Sequence, residues 1–167
     1  MSLKNWKKKD IESFIANYKR LGKTEGGKYS LAELEEELRE RKAKSANLEP
    51  KYVLSQICEL SKKSKNGFLF YGDLWKRIFP DEKWSGHKSL RKIADELYAV
   101  IRYCVKNDLP IMTALVINSV TKDLTEEAIQ NIYEECLREG KVISVSAEKF
   151  VRSEVLRAKE FAQNYRG

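Results

Sequence analysis

Gly67-Phe-Leu-Phe-Tyr-Gly-Asp-Leu74, followed by Ser85-Gly-His-Lys-Ser-Leu-Arg-Lys92, is the stretch whose reading decides the fold. A short apolar run breaks into a capped polar turn, and after Pro80 a long amphipathic segment opens in positive charge. That succession predicts two helices separated by a turn, with an extended lead-in at Phe68–Tyr71. The second helix is expected to run from Lys88 to about Asn107, with Leu90, Ile93, Leu97, Val100, Ile101 and Cys104 on its buried face. Cations in the first turns of such a helix suit a nucleic-acid groove, where they reach phosphates and base edges together.

Outward from this pair, Tyr52, Val53, Ile57 and Leu60 make a preceding helix, and Pro110 closes the long one. Ile111–Val120 is β-branched and apolar enough for a buried strand, with Val142–Val145 as a second strand pairing with it. Thr125 or Asp123 caps a helix striped by Ala128, Ile129, Ile132, Tyr133, Cys136 and Leu137. Ser146 caps a last one with Phe150, Val151, Val155, Leu156, Ala158 and Phe161 inward. At the amino terminus, Trp6, Ile11, Phe14, Ile15 and Tyr18 recur at helical spacing until the Gly22–Gly27 stretch. Ser30-Leu-Ala-Glu33 is a capping box that opens a second helix striped by Leu31, Leu34 and Leu38. The expected class is therefore mainly α with minor β: a winged-helix-like helical domain with a short two-stranded element and flanking helices. The segments are 1–49, a helical pair ending in the linker Lys42–Glu49; 50–145, the winged-helix-like core; and 146–167, a helix closing on that core.

The chain of 167 residues carries a net charge of +7, which favours polyanionic partners. Its distribution is more informative. Blocks 1–28, 29–49, 50–110, 111–140 and 141–167 carry +5, −2, +5, −4 and +3. Such alternation points to one positive face of a fold rather than a polybasic tail.

Cys58, Cys104 and Cys136 lie far apart among apolar positions and read as buried free thiols. One histidine, His87, and no close ligand spacing leave metal sites, catalytic sets and cofactors without a candidate. Glu126-Glu127 and Glu134-Glu135 are adjacent on a helix and point apart. No apolar core follows the charged start and no run approaches the ~20 residues of a membrane span, so a soluble, cytoplasmic protein with no membrane partner is expected.

Tyr71-Gly-Asp-Leu74, Lys88-Ser-Leu-Arg-Lys-Ile-Ala94 and Leu109-Pro-Ile-Met-Thr-Ala-Leu-Val-Ile117 together resemble the DNA-binding half of the alkylguanine-DNA alkyltransferases and alkyltransferase-like proteins, over residues 67–118. The resemblance implies a winged helix that takes the minor groove and flips a base, with Tyr71 on a phosphate and Lys88 near the intercalating position. Where that family carries its Pro-Cys-His-Arg acceptor, this chain has Met112-Thr-Ala-Leu115. Without the nucleophile no alkyl group is accepted.

The functional expectation is a non-enzymatic, duplex DNA-binding accessory or regulatory factor of a phage or mobile element. Its site residues are Tyr71, Lys76, Arg77, Lys83, Trp84, His87, Lys88, Arg91 and Lys92. Lys76, Arg77 and Lys83 anchor phosphates, while His87, Lys88 and Arg91 face a groove. The alternative is a protein-interaction module, such as a phage-encoded inhibitor or adaptor of a host defence nuclease, using the acidic helix 123–139 and the leucine stripe 31–38. Oligomeric state is left open.

Overall fold

The computed structural model describes residues 2–167, apart from the side chain of Ala43. Seven α helices and one two-stranded sheet are formed among them, in two compact units, Met1–Ser45 and Ala46–Gly167.

In the first unit, α1 (Lys8–Leu21) and α2 (Leu31–Ser45) form a helical hairpin over Ile11, Ile15, Tyr18 and Leu34. Phe14, expected inside, is 46% exposed but lies against Trp6 at 4.8 Å between ring centroids. The capping box is made: Glu33 Oε2 accepts from the Ser30 amide at 2.7 Å, and Ser30 Oγ accepts from the Glu33 amide at 3.3 Å. Both orphan amides are thereby satisfied. The Tyr18 hydroxyl donates to the Tyr29 carbonyl at 2.7 Å and accepts from the Gly27 amide at 2.8 Å. A Cβ at Gly27 would stand 2.6 Å from that hydroxyl oxygen, so the connection requires glycine there.

The second unit orders α3 (Pro50–Lys63), β1 (Leu69–Phe70), α4 (Tyr71–Ile78), α5 (His87–Lys106), a 3-10 turn (Met112–Leu115), β2 (Val116–Ile117), α6 (Glu126–Arg138) and α7 (Ala147–Asn164). Helix α4 stops before Pro80, which supplies no amide to continue it. The 3-10 turn is the hub: Met112–Ile117 are buried without exception, and α3, α5, α6 and α7 all pack on this turn. Two buried carboxylates hold the hub and the unit's first residues in place. Glu154 of α7, 2% exposed, accepts from the Ile111 amide at 2.8 Å and from Arg157 at 2.6 Å. Glu96 of α5, 1% exposed, accepts from the Asn47 amide at 2.8 Å and the Leu48 amide at 3.2 Å. Half of the expected linker is therefore helix, since α2 continues to Ser45, and the remainder is tethered.

The mainly α class with a short two-stranded element holds, but other residues make the strands. Ile111–Val120 contributes only Val116 and Ile117, which pair in parallel with Leu69 and Phe70. Residues 142–145 form no strand and lie in an irregular connection between α6 and α7. Burial on all sides explains the first difference, because packing within a ring of helices overrides the β preference of an apolar run. A parallel pair needs a crossover connection, and here α4 and α5 supply it. Three leucines expected inside are outside: Leu90 is 43%, Leu137 41% and Leu156 70% exposed. Each sits at the edge of its helix's apolar stripe, where spacing alone does not separate rim from core. The closing helix α7 belongs to the core of the second unit through Phe150, Val151, Val155, Ala158 and Ala162.

Candidate nucleic-acid interface

The turn between α4 and α5 is built around Trp75. Its ring packs on Phe79 at 4.7 Å and edge-on to Trp84 at 5.5 Å, while its Nε1 donates to the Glu82 carbonyl at 2.9 Å. Ser89 Oγ accepts from the Ser85 amide at 2.7 Å, and Gly86 takes a positive φ of 55° where the chain enters α5. These contacts pre-set the start of α5 without using any of its cations.

The sequence-derived residues separate into three groups. Lys83, His87, Lys88 and Arg91 are exposed, and none of them pairs with a carboxylate among the described residues. Trp84, 43% exposed, stands beside them with one edge against Trp75. Lys76 and Arg77 lie on the outer side of α4, where Arg77 Nε donates to the neutral Gln56 Oε1 at 2.8 Å and so keeps its charge. Lys92 and Tyr71 are committed elsewhere. The Lys92 ammonium sits 4.1 Å from the centre of the Phe79 ring and 2.6 Å from Glu82 Oε1, a structural clamp on the turn. Tyr71 is half-buried; burial raises its phenol pKa, and the charge of Glu127 raises it further. A phosphate at that hydroxyl would have to share the field of an acid.

Several cations elsewhere in the chain are neutralised locally. Lys19 pairs with Glu35, Arg41 with Glu37, Arg102 with Glu139, Arg138 with Glu134 and Glu135, and Arg157 with Glu154. Arg152 binds both oxygens of Asp123, at 2.7 and 3.0 Å, which holds that carboxyl below its usual range. Uncompensated positive charge stands on α4, on the turn after it and on the first turns of α5, and also on α1, where Lys8, Lys9 and Arg20 have no acidic partner among the described residues.

Sequence reading missed a second basic feature. Lys76 lines an open cleft of about 750 Å3 together with Lys63, Lys65 and Lys122, and Phe68 and Phe70 are part of the same lining. The run Lys62-Lys-Ser-Lys65 is a visible signal for half of it. Lys122, from a loop far along the chain, carries none.

No group of His, Cys, Asp and Glu side chains among the described residues is arranged to hold a metal ion, and none of their helices is long and apolar enough to cross a membrane. Cys58, Cys104 and Cys136 are buried and unbridged, and burial pushes each thiol up to about 12. No protein-family model, curated protein or solved structure matches this chain.

Proposed function

We propose that this chain is a non-enzymatic nucleic-acid-binding protein of the cytoplasm, with an accessory or regulatory role on duplex DNA. One observation carries the reading: Lys83, Lys88 and Arg91, exposed and without acidic partners, collect where α5 begins, whereas Arg39, Arg41 and Lys44 of α2 and Arg138 of α6 pair with acids. Lys88 and Arg91 are directed to a groove, and Lys76, Arg77 and Lys83 to the flanking phosphates. Trp84 and Leu90 add apolar contact at the same end.

Fluorescence anisotropy on mixed-sequence duplex across a salt series tests it. Lys88 and Arg91, at the groove edge, each neutralise about one phosphate charge as well, so Lys88→Glu/Arg91→Glu weakens binding and lowers the slope of log K against log salt by about 1.8. Wild-type affinity and slope in the double variant would refute this face.

A protein-interaction module is the second reading, and Leu137, Val142 and Val145 favour it. They are 41%, 95% and 47% exposed within one short stretch. A stoichiometric protein partner that is free of nucleic acid, and lost on Val142→Asp/Val145→Asp, is its expected signature.

A further inference from the structure

We infer that the lysine-rimmed cleft of the second unit is a separate site for single-stranded nucleic acid, laying bases on its phenylalanine rings and phosphates along its rim. The inference rests on the polyanion reading above, but places a different ligand on a set of residues that shares only Lys76 with it.

The rim is assembled from four places: Lys63 at the end of α3, Lys65 in the following loop, Lys76 on α4 and Lys122 beyond β2. All four are exposed, and none pairs with a carboxylate among the described residues. Asp73 is the one acid in the lining, so the cleft stays strongly positive.

Both loops that present these lysines are fixed in shape. Ser61 Oγ donates to the Gly67 carbonyl at 2.7 Å inside the core, and Asn66 Oδ1 accepts from Ser64 Oγ at 3.0 Å and from the Phe68 amide at 3.1 Å. Beyond β2, Asn118 Oδ1 accepts from the Val120 amide at 2.8 Å, and the Asn118 carbonyl accepts from the Lys122 amide, also at 2.8 Å. Lys122 itself is held at a φ of 55°, a left-handed conformation uncommon for a residue other than glycine. Gly67, at a φ of 80°, lets the Lys159 chain lie against the backbone, which brings the Lys159 ammonium 3.9 Å from the centre of the Phe68 ring. A fifth cation, outside the lining, thus covers one face of the Phe68 ring, which leaves only the other face for a base.

The chemistry selects the ligand. Duplex DNA offers phosphates on a convex surface and keeps its base faces stacked. A single strand offers phosphates and free π faces together, the combination that a concave lysine rim over aromatic rings accommodates. The volume falls within the roughly 300–1,000 Å3 of sites that enclose a small ligand, enough for a few nucleotide units rather than a helix. Lysines act as point charges without the fork that reads a base edge, so binding is expected to tolerate any sequence.

The test titrates labelled oligothymidylate, an abasic strand of equal phosphate number and mixed-sequence duplex. Each is measured with wild type, with Lys65→Glu/Lys122→Glu and with Lys88→Glu/Arg91→Glu. Melting curves confirm that each variant is folded. Loss of single-strand affinity by about tenfold or more in the first variant, with duplex affinity held within about twofold, supports the cleft. Weaker binding of the abasic strand by about fivefold or more supports stacking on the phenylalanine rings. Wild-type single-strand affinity in the cleft variant, equal loss of both ligands, or equal affinity for abasic and normal strands would overturn the inference. If wild type binds the single strand through the cleft and ignores duplex, the inference stands and the α5 reading falls. Binding of neither ligand ends both.

Discussion

Replacing Lys122 by glycine should make the protein more stable and a poorer ligand binder at once. Lys122 adopts a φ of 55°, and its amide donates to the Asn118 carbonyl at 2.8 Å, closing the turn after β2. A residue with a Cβ in that conformation costs about 1–2 kcal/mol. Glycine removes that strain, retains the amide, and returns about 0.5–1 kcal/mol through the greater freedom of the unfolded chain. The net gain is about 0.5–1 kcal/mol, or roughly 2–5 °C in Tm for a unit of this size. Lys122→Ala is the control, since it keeps the Cβ and therefore the strain while removing the same charge. Urea denaturation followed by tryptophan fluorescence, with Trp75 and Trp84 reporting on the second unit, measures the first effect. The second is read by anisotropy with oligothymidylate: losing one phosphate contact lowers the salt slope by about 0.7, or affinity by about fivefold at ~0.1 M salt. A glycine variant no more stable than the alanine variant would refute the strain argument. Wild-type affinity in both would remove Lys122 from the cleft.

Glu154→Leu leaves the Ile111 amide without its acceptor in the core and should cost about 2–3 kcal/mol in urea denaturation, against about 1 kcal/mol for Glu154→Gln. Glu96 gives a pH signature: burial raises its pKa, and the amides of Asn47 and Leu48 offset this only in part. The folded state therefore holds that proton more tightly than the unfolded state does. The contribution is complete below the unfolded value of about 4.3 and is lost as pH rises through the folded one. Denaturation of wild type and Glu96→Gln over a pH series should show wild type losing stability relative to the variant as pH rises. The buried thiols of Cys58, Cys104 and Cys136, raised to about 12, should resist an aromatic disulfide reagent at pH 8 until urea unfolds the chain.

Where a local signal has a local cause, the sequence is legible. Pro80, Pro110 and the amphipathic period delimit α4 and α5, and Ser30 with Glu33 announces α2, because caps and prolines act within a turn of themselves. The pairing of β1 with β2 is illegible, because an apolar run such as Met112–Ile117 reads identically as a buried strand and as a 3-10 turn enclosed by helices. Lys92 and Lys88 look alike in sequence. Only the fold brings Glu82 and the Phe79 ring to Lys92 and nothing acidic to Lys88. The cleft is the extreme case, its lysines coming from separate elements that no period connects.

The placement of charge along the helices is hard to explain by folding stability alone. Acids in a helix's first turn offset the positive end of its dipole, by about 0.3–1 kcal/mol each. This chain uses that device repeatedly: Asp10 in α1, Glu33 in α2, Asp73 in α4, Glu126 and Glu127 in α6, Glu148 in α7. Helices α3 and α5 have none: α3 opens with Pro50 and Lys51, and α5, the longest of those described, with His87, Lys88 and, a turn on, Arg91. Lys88 and Arg91 face the positive end of the dipole, at a cost that a bound anion would reverse. Phosphate at this end would turn an unfavourable local field into a favourable one without moving the backbone, since the Trp75 and Ser89 contacts already fix the turn. The same reasoning predicts that Lys88→Glu stabilises the free protein while weakening its hold on duplex DNA, opposite signs that a purely structural role for Lys88 would not produce.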